Sequence, residues 1–259
     1  MAVIGGPGPD IPGAAMDRNS GLARRSASGL TRPRNRGYAR RNEAPSGALD
    51  LTMKSLPNIL TAARLVLALF MFLALAAAAG AVPGLSDHLT QDTQFALQRW
   101  GIYAFVVAAV TDFFDGWLAR KLDAVTVWGA ILDPIGDKVL VCGAILGLMA
   151  MGGAQPMVLL PGGLILFREF TVSALREVGA GRGVKLPVTL LAKWKTTLQL
   201  VALTMELVVG AWGAFPLPQD PAVQGPAVIA AHAMFWLATL VTLITGAQYW
   251  EQTRKALAS

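Results

Sequence analysis

Cysteine, histidine and charge are all scarce in this chain of 259 residues. There is one cysteine, Cys142, so an intrachain disulfide is excluded and no thiolate metal cluster can form. The two histidines, His88 and His232, stand in no metal-binding or catalytic motif and read as a loop residue or a satisfied helix residue. Charged residues make up 15% of the chain against 54% hydrophobic ones, and the mean hydropathy is +0.51. That balance excludes an ordinary soluble domain. The net charge of +6 would suggest nucleic acid in a soluble protein, but here the basic residues gather in particular loops, as membrane topology requires. No nucleic-acid partner is expected.

What is present is a set of long apolar segments, each sufficient for a hydrocarbon core of about 30 Å. They run about 57–82, 100–119, 125–151, 156–178, 193–213 and 226–250, separated by connectors such as GGAQP at 152–156 and PLPQDPAVQGP at 216–226. The expected fold is all-α and polytopic, with six transmembrane helices. Arg120 and Lys121 follow the second segment; Arg176, Arg182, Lys185, Lys193 and Lys195 surround the fourth-to-fifth connection; Arg254 and Lys255 lie in the tail. The two connectors just quoted hold no Lys or Arg, and Arg99 alone falls on their side. The positive-inside rule therefore sets both termini in the cytoplasm. Residues 1–52 carry eight arginines between Arg18 and Arg41 with no acidic residue among them. They read as a disordered basic arm, or as sequence upstream of a start at Met53, and 53–259 as the membrane domain. Trp100, Trp128, Trp194 and Trp250 read as interface-belt residues.

Within the apolar sequence stand four aspartates at fixed spacing: Asp112-x2-Asp115-Gly116-x2-Ala119-Arg120-x8-Gly129-x3-Asp133-x3-Asp137. Each would cost roughly 2.5–3.5 kcal/mol at the centre of a membrane helix, and all four on the order of 10 kcal/mol unpaired. A cation must sit among them. Steps of i+3 and i+4 put Asp112, Asp115, Gly116 and Ala119 on one helix face, and Gly129, Asp133 and Asp137 on one face of the next. A short cytoplasmic turn makes those helices antiparallel, so the acidic faces meet roughly 8–18 Å below it. Oxygen-only ligands favour Mg²⁺ or Mn²⁺, and four carboxylates suffice for two ions. Two-metal sites suit displacement at phosphorus. Gly116 and Gly129 leave room for a bulky group, and Arg120 can grip a phosphate or base.

This motif resembles the signature of the CDP-alcohol phosphatidyltransferases at every position. The resemblance implies a six-helix membrane enzyme, a homodimer, that passes a phosphatidyl group from CDP-diacylglycerol to an alcohol and releases CMP. By motif position it implies Asp112, Asp115 and Asp133 as metal ligands and Asp137 as both ligand and general base. Gly116, Arg120 and Thr126 fall at nucleotide-contacting positions. The opening PNILTAAR, with Asn58, Thr61 and Arg64, is similar to the family's first-helix lipid-nucleotide contacts. The segment 168–203, with its RE, SALRE and K-x-KT-x2-Q elements, resembles bacterial members whose acceptor is glycerol 3-phosphate, although Ala192 replaces a common glycine. The resemblance runs from about 55 to 250 and implies the bacterial cytoplasmic membrane, with the site facing the cytoplasm.

A phosphorylated acceptor needs a second cationic pocket, for which Arg168, Arg176, Lys193 and Lys195 are the candidates. Arg168 follows the apolar run LILF directly, so it requires an anion or Glu169 as partner. For Lys193 and Lys195, snorkelling to the interface competes with phosphate contact. Other acceptors in the same chemistry are phosphatidylglycerol and inositol phosphate. A divalent-cation transporter is the alternative of a different class; it requires acidic residues along a continuous path to the far side, and the outer halves of the helices carry almost none, Glu206 in the fifth helix being the exception.

Overall fold

The computed structural model describes residues 47–258, less 86–87, 123–126, 154 and 183–189; side chains are described from Ile59 to Ala256, less those of 113–131, 133–134 and 183–193. The described residues form helices throughout, with no strand: α1 Gly47–Ala78, α2 Gln91–Leu122, α3 Val127–Gly152, α4 Pro156–Gly181, α5 Leu190–Gly210 and α6 Pro221–Ala258. A short 3₁₀ turn, Trp212–Ala214, precedes α6. Ile59–Ala78, Ile135–Gly152, Pro156–Gly181 and Pro221–Ala256 are each long and apolar enough to cross a membrane. The protein is therefore an all-helical, polytopic integral membrane protein.

The helix bounds depart from the apolar segments in an instructive way. Helix α1 starts at Gly47 instead of near Pro57, and α2 starts at Gln91 instead of near residue 100. The added turn of α2, QDTQFALQR, is polar and so carries no apolar run to detect. Its start is marked by capping: the Thr93 backbone N–H donates to Thr90 Oγ1 at 3.4 Å, and the Gln94 N–H donates to the Thr90 carbonyl at 3.0 Å. Helix α1 closes with a Schellman turn, in which the Ala81 N–H reaches the Ala76 carbonyl at 2.9 Å and Gly80 takes φ 77°. Helix α6 runs on for 38 residues, past residue 250 to Ala258. Its interior Pro226 falls in the second turn, where proline offers no N–H to the carbonyl of Ala222 four residues back.

Helix α1 packs along α2 and α3, α5 along α6, and α4 against α6. The core joins Met71 and Leu75 of α1 to Ile102 and Phe105 of α2, Ala144, Ile145 and Leu148 of α3, Ile165 of α4, Leu203 and Leu207 of α5, and Phe235 of α6. Lipid is as apolar as leucine, so close packing rather than removal from water holds these helices together. Small residues make it feasible. A Cβ at Gly147 would stand 2.6 Å from Leu75 Cδ1, and one at Gly162 would stand 2.9 Å from Ile145 Cγ2. Outside the core, Val66, Phe167, Phe170 and Ile229 are exposed, as a lipid-facing surface requires. Trp100, Trp194 and Trp250 are exposed too, while Trp128 lies outside the described side chains.

His232 and Glu206 prove to be partners. His232 Nδ1 lies 2.8 Å from Glu206 Oε1, tying α6 to α5, so the acid that stood apart in the sequence has a structural explanation.

Replacing Gly147 by Val should cost about 1–3 kcal/mol through overpacking against Leu75. Gly163→Ala, where a new Cβ meets nothing within 4 Å, should be neutral or stabilising. Thermal unfolding in detergent micelles separates the two.

Candidate active site

Helices α2 and α3 each contribute one described carboxylate to a common point. Asp112 Oδ1 lies 2.6 Å from Arg64 Nη1, and Asp137 Oδ1 lies 3.1 Å from the same nitrogen. One atom of a cation from α1 therefore contacts acids on two other helices. The guanidinium side chain is 1% exposed, whereas Asp112 is 30% and Asp137 54% exposed. The acids face open space and their counter-ion is buried beneath them. Gly136, the residue before Asp137, packs against this arginine, a Cβ there standing in ordinary contact with Arg64 Cδ at 3.6 Å. Thr61, one turn before Arg64 on α1, is buried on the same inward face. Arg64, likened in the sequence to lipid-nucleotide contacts, is thus engaged with the acidic pair.

The remaining motif positions can be placed only by element. Asp115, Gly116 and Arg120 belong to α2, Gly129 and Asp133 to α3, Asn58 to α1 and Lys193 to α5, but their side chains lie outside the described residues. Thr126 lies outside them entirely. No group of three or more His, Cys, Asp or Glu that could hold a metal occurs among the described residues. The part of the site that is described still fits a divalent cation. Its donors are carboxylate oxygens, two helices direct them at one positive atom, and both remain open to solvent.

Asp112 and Asp137 border a cavity of about 620 Å³, whose far wall is made by Arg168, Glu169, Ser173 and Arg176 of α4, Lys195 and Gln199 of α5, and Tyr249 of α6. Three of the four residues predicted for the phosphate pocket are therefore brought into one space with two of the four aspartates. Arg168 is buried, donating through Nη1 to Glu169 Oε1 at 3.1 Å and through Nη2 to Thr245 Oγ1 at 3.0 Å. Lys195, also buried, donates to Glu169 Oε1 at 2.5 Å. Gln199 Nε2 reaches the same oxygen at 3.3 Å and Thr242 Oγ1 at 2.9 Å. Arg176 donates to Tyr249 Oη at 2.6 Å, and its guanidinium carbon lies 4.7 Å from the ring centroid.

The face of α6 that completes this wall was not read from the sequence. Thr242, Thr245, Gly246 and Tyr249 recur at i, i+3, i+4 and i+7, and each touches a charged or amide side chain from α4 or α5. The signal was the polar period in an apolar helix. The threonine hydroxyls direct their own protons to carbonyls of the preceding turn, leaving lone pairs for Gln199 and Arg168. Gly246 is required for space, because its Cβ would stand 2.8 Å from Arg168 Cγ.

Comparison with known proteins identifies the family. Residues 54–244 match the profile of the CDP-alcohol phosphatidyltransferases. The chain belongs to the CDP-alcohol phosphatidyltransferase family. It is 38% identical to a CDP-diacylglycerol–glycerol-3-phosphate 3-phosphatidyltransferase of Cereibacter sphaeroides, over 78% of this chain and 96% of that one. Proteins of the same name from Rickettsia felis and Bacillus subtilis are 36% and 32% identical, covering 78% and 79% of this chain and 97% and 98% of theirs. As a CDP-alcohol phosphatidyltransferase the protein is a membrane-bound transferase, of a family that generally uses divalent metal.

Arg64→Met removes the cation shared by Asp112 and Asp137. The partial exposure of both acids screens their repulsion, so the metal-free protein should lose only about 1–2 kcal/mol. Saturating Mg²⁺ should recover part of the lost melting temperature; equal melting of variant and parent without metal would deny Arg64 this role.

Proposed function

We propose that this CDP-alcohol phosphatidyltransferase transfers the phosphatidyl group of CDP-diacylglycerol to glycerol 3-phosphate, giving phosphatidylglycerophosphate and CMP. The observation that carries the reading is the single cavity joining Asp112 and Asp137 to Arg168, Arg176 and Lys195. An acceptor bearing both a nucleophilic hydroxyl and a phosphate needs acids for one and cations for the other, within a few ångströms of each other. The relatives' names point to the same acceptor. A donor with two acyl chains is also accommodated. An apolar groove of about 420 Å³, walled by Leu69, Phe72, Val139 and Leu146 among others, adjoins the cavity through Lys138 and Phe170, which border both.

In this reading Asp112, Asp115, Asp133 and Asp137 hold two divalent ions, Mg²⁺ or Mn²⁺. Bound there, the ions supply positive charge for the diphosphate and for the departing CMP. Gly116, Arg120, Thr126, Asn58 and Thr61 receive the nucleotide end of the donor. Arg168, Arg176, Lys193 and Lys195 orient glycerol 3-phosphate by its phosphate, so that its free hydroxyl points at the phosphatidyl phosphorus. Asp137 accepts the hydroxyl proton as the new P–O bond forms, and the P–O bond to CMP breaks. Both substrates are held together in one step, so the reaction is sequential and no phosphatidyl-enzyme forms. The cavity opens to the cytoplasm of a bacterial inner membrane, all six helices span, both termini are cytoplasmic and the enzyme is a homodimer. Residues 1–46, which carry the basic arm read from the sequence, lie outside the described residues, and 47–52 open α1.

Purified protein supplied with Mg²⁺ and CDP-diacylglycerol should release CMP only when glycerol 3-phosphate is added. Asp137→Asn should lower that rate by about 10³-fold or more. Arg168→Ala should raise the KM for glycerol 3-phosphate at least about tenfold while leaving that for CDP-diacylglycerol within a factor of about two. Release sustained by inositol phosphate or phosphatidylglycerol instead would move the acceptor and keep the chemistry. No release with any acceptor would return attention to cation transport.

A further inference from the structure

Glu169 occupies an unusual position in the cavity wall. A single oxygen, Oε1, accepts from Arg168 Nη1 at 3.1 Å, Lys195 Nζ at 2.5 Å and Gln199 Nε2 at 3.3 Å. Two of those donors are cations, and they reach it from two different helices. Convergence of an arginine, a lysine and an amide on one oxygen is how a protein holds a phosphate oxygen. The donors are also fixed from behind, Arg168 by Thr245 at 3.0 Å and Gln199 by Thr242 at 2.9 Å. An anion position is therefore built into the wall, and the protein's own carboxylate fills it. Arg176 differs: it is held by the Tyr249 hydroxyl and ring.

We propose that Glu169 is a resident anion of the acceptor pocket, which the phosphate of the incoming acceptor must displace from Lys195 and Arg168. This rests on the acceptor reading given above. Displacement has a selective consequence. A carboxylate already paired with the cations lowers the apparent affinity for every anion, since binding is reduced by the fraction of pocket that is free. An acceptor without a phosphate gains nothing able to release the cations, so it meets a pocket closed on itself. A dianionic phosphate outcompetes the single carboxylate, and when product leaves, Glu169 returns to its partners. Discrimination then comes from an internal competitor as well as from new contacts.

The test uses inorganic phosphate as the probe, in CMP-release assays of the full chain with Mg²⁺, CDP-diacylglycerol and glycerol 3-phosphate. In the parent protein phosphate should compete with glycerol 3-phosphate and not with CDP-diacylglycerol. Glu169→Gln keeps the shape and removes the charge. Its inhibition constant for phosphate should fall by about tenfold, as loss of one nearby, partly screened charge implies. Its phosphate-free melting temperature should drop, and phosphate should raise it by more than in the parent. Glu169→Asp, a shorter carboxylate that grips Lys195 less closely, should tighten phosphate inhibition by a smaller factor, about threefold. That variant decides the matter if Glu169→Gln does not accumulate. Unchanged or weaker phosphate inhibition in the variants, with the parent behaving as described, would make Glu169 a structural brace alone. If phosphate instead competes with CDP-diacylglycerol in the parent, the pocket is not the acceptor's, and both readings fall together.

Discussion

A buried guanidinium beneath two half-open carboxylates is the constraint on which the catalytic end of this bundle depends. Arg64 reaches up from α1 to Asp112 of α2 and Asp137 of α3, so three helices meet at one electrostatic contact. Removing the guanidinium leaves two partly solvated acids at modest cost, whereas removing the acids strands a buried cation. The helices that carry the acids therefore cannot drift apart without exposing a cation that has little contact with water. This fixes the distance between Asp112 and Asp137 at the mouth of the cavity. Packing lower in the bundle, where Gly143 and Gly147 of α3 approach Met71 and Leu75 of α1, holds the same helices in register from the other end.

The second organising feature is the separation of charge along one cavity. Acids stand at the α2–α3 end and cations at the α4–α5 end, with Lys138 interrupting the first pattern and Glu169 and Glu177 the second. In the proposed reaction two anionic substrates would repel one another, and the arrangement would answer with separate positive fields: ions held by the aspartates at one end, fixed side-chain cations at the other. The apolar groove beside Phe170 adjoins the polar cavity, so in the proposed reaction a lipid donor and a water-soluble acceptor would approach by different routes.

Much of this was legible in the sequence, and for definite reasons. Acidic residues in apolar segments are so costly that their spacing can be read without any structure, and the family match over 54–244 accords with that reading. Arg168 was legible for the same reason, because it follows LILF directly. The starts of α1 and α2 were not, since apolar residues broken up by polar ones, as in GALDLTMKS and QDTQFALQR, make no long hydrophobic run. The α6 wall escaped notice because threonine satisfies its own hydroxyl within a helix, so Thr242 and Thr245 cost the membrane little and signal nothing. Tyr249 sat unremarked beside Trp250, whose exposed ring belongs to the interface while its neighbour turns inward to Arg176. Glu206 looked like an anomaly only until the fold set His232 against it, 26 residues away along the chain.

Gly246 and Arg168 are sterically a single unit. The glycine has no side chain because the arginine's aliphatic stem fills the place where one would begin, at 2.8 Å from its absent Cβ. Neither position can drift alone: a methyl at 246 evicts the stem, and a short residue at 168 leaves a void that a larger 246 would then be free to fill. A lineage that abandoned a phosphorylated acceptor would pass through that paired exchange, and the order of the two steps would matter. Losing the arginine first opens the path, whereas enlarging the glycine first strands a buried cation. The ancestry of substrate choice in this fold should accordingly be written in two positions, 78 residues apart in sequence and touching in space.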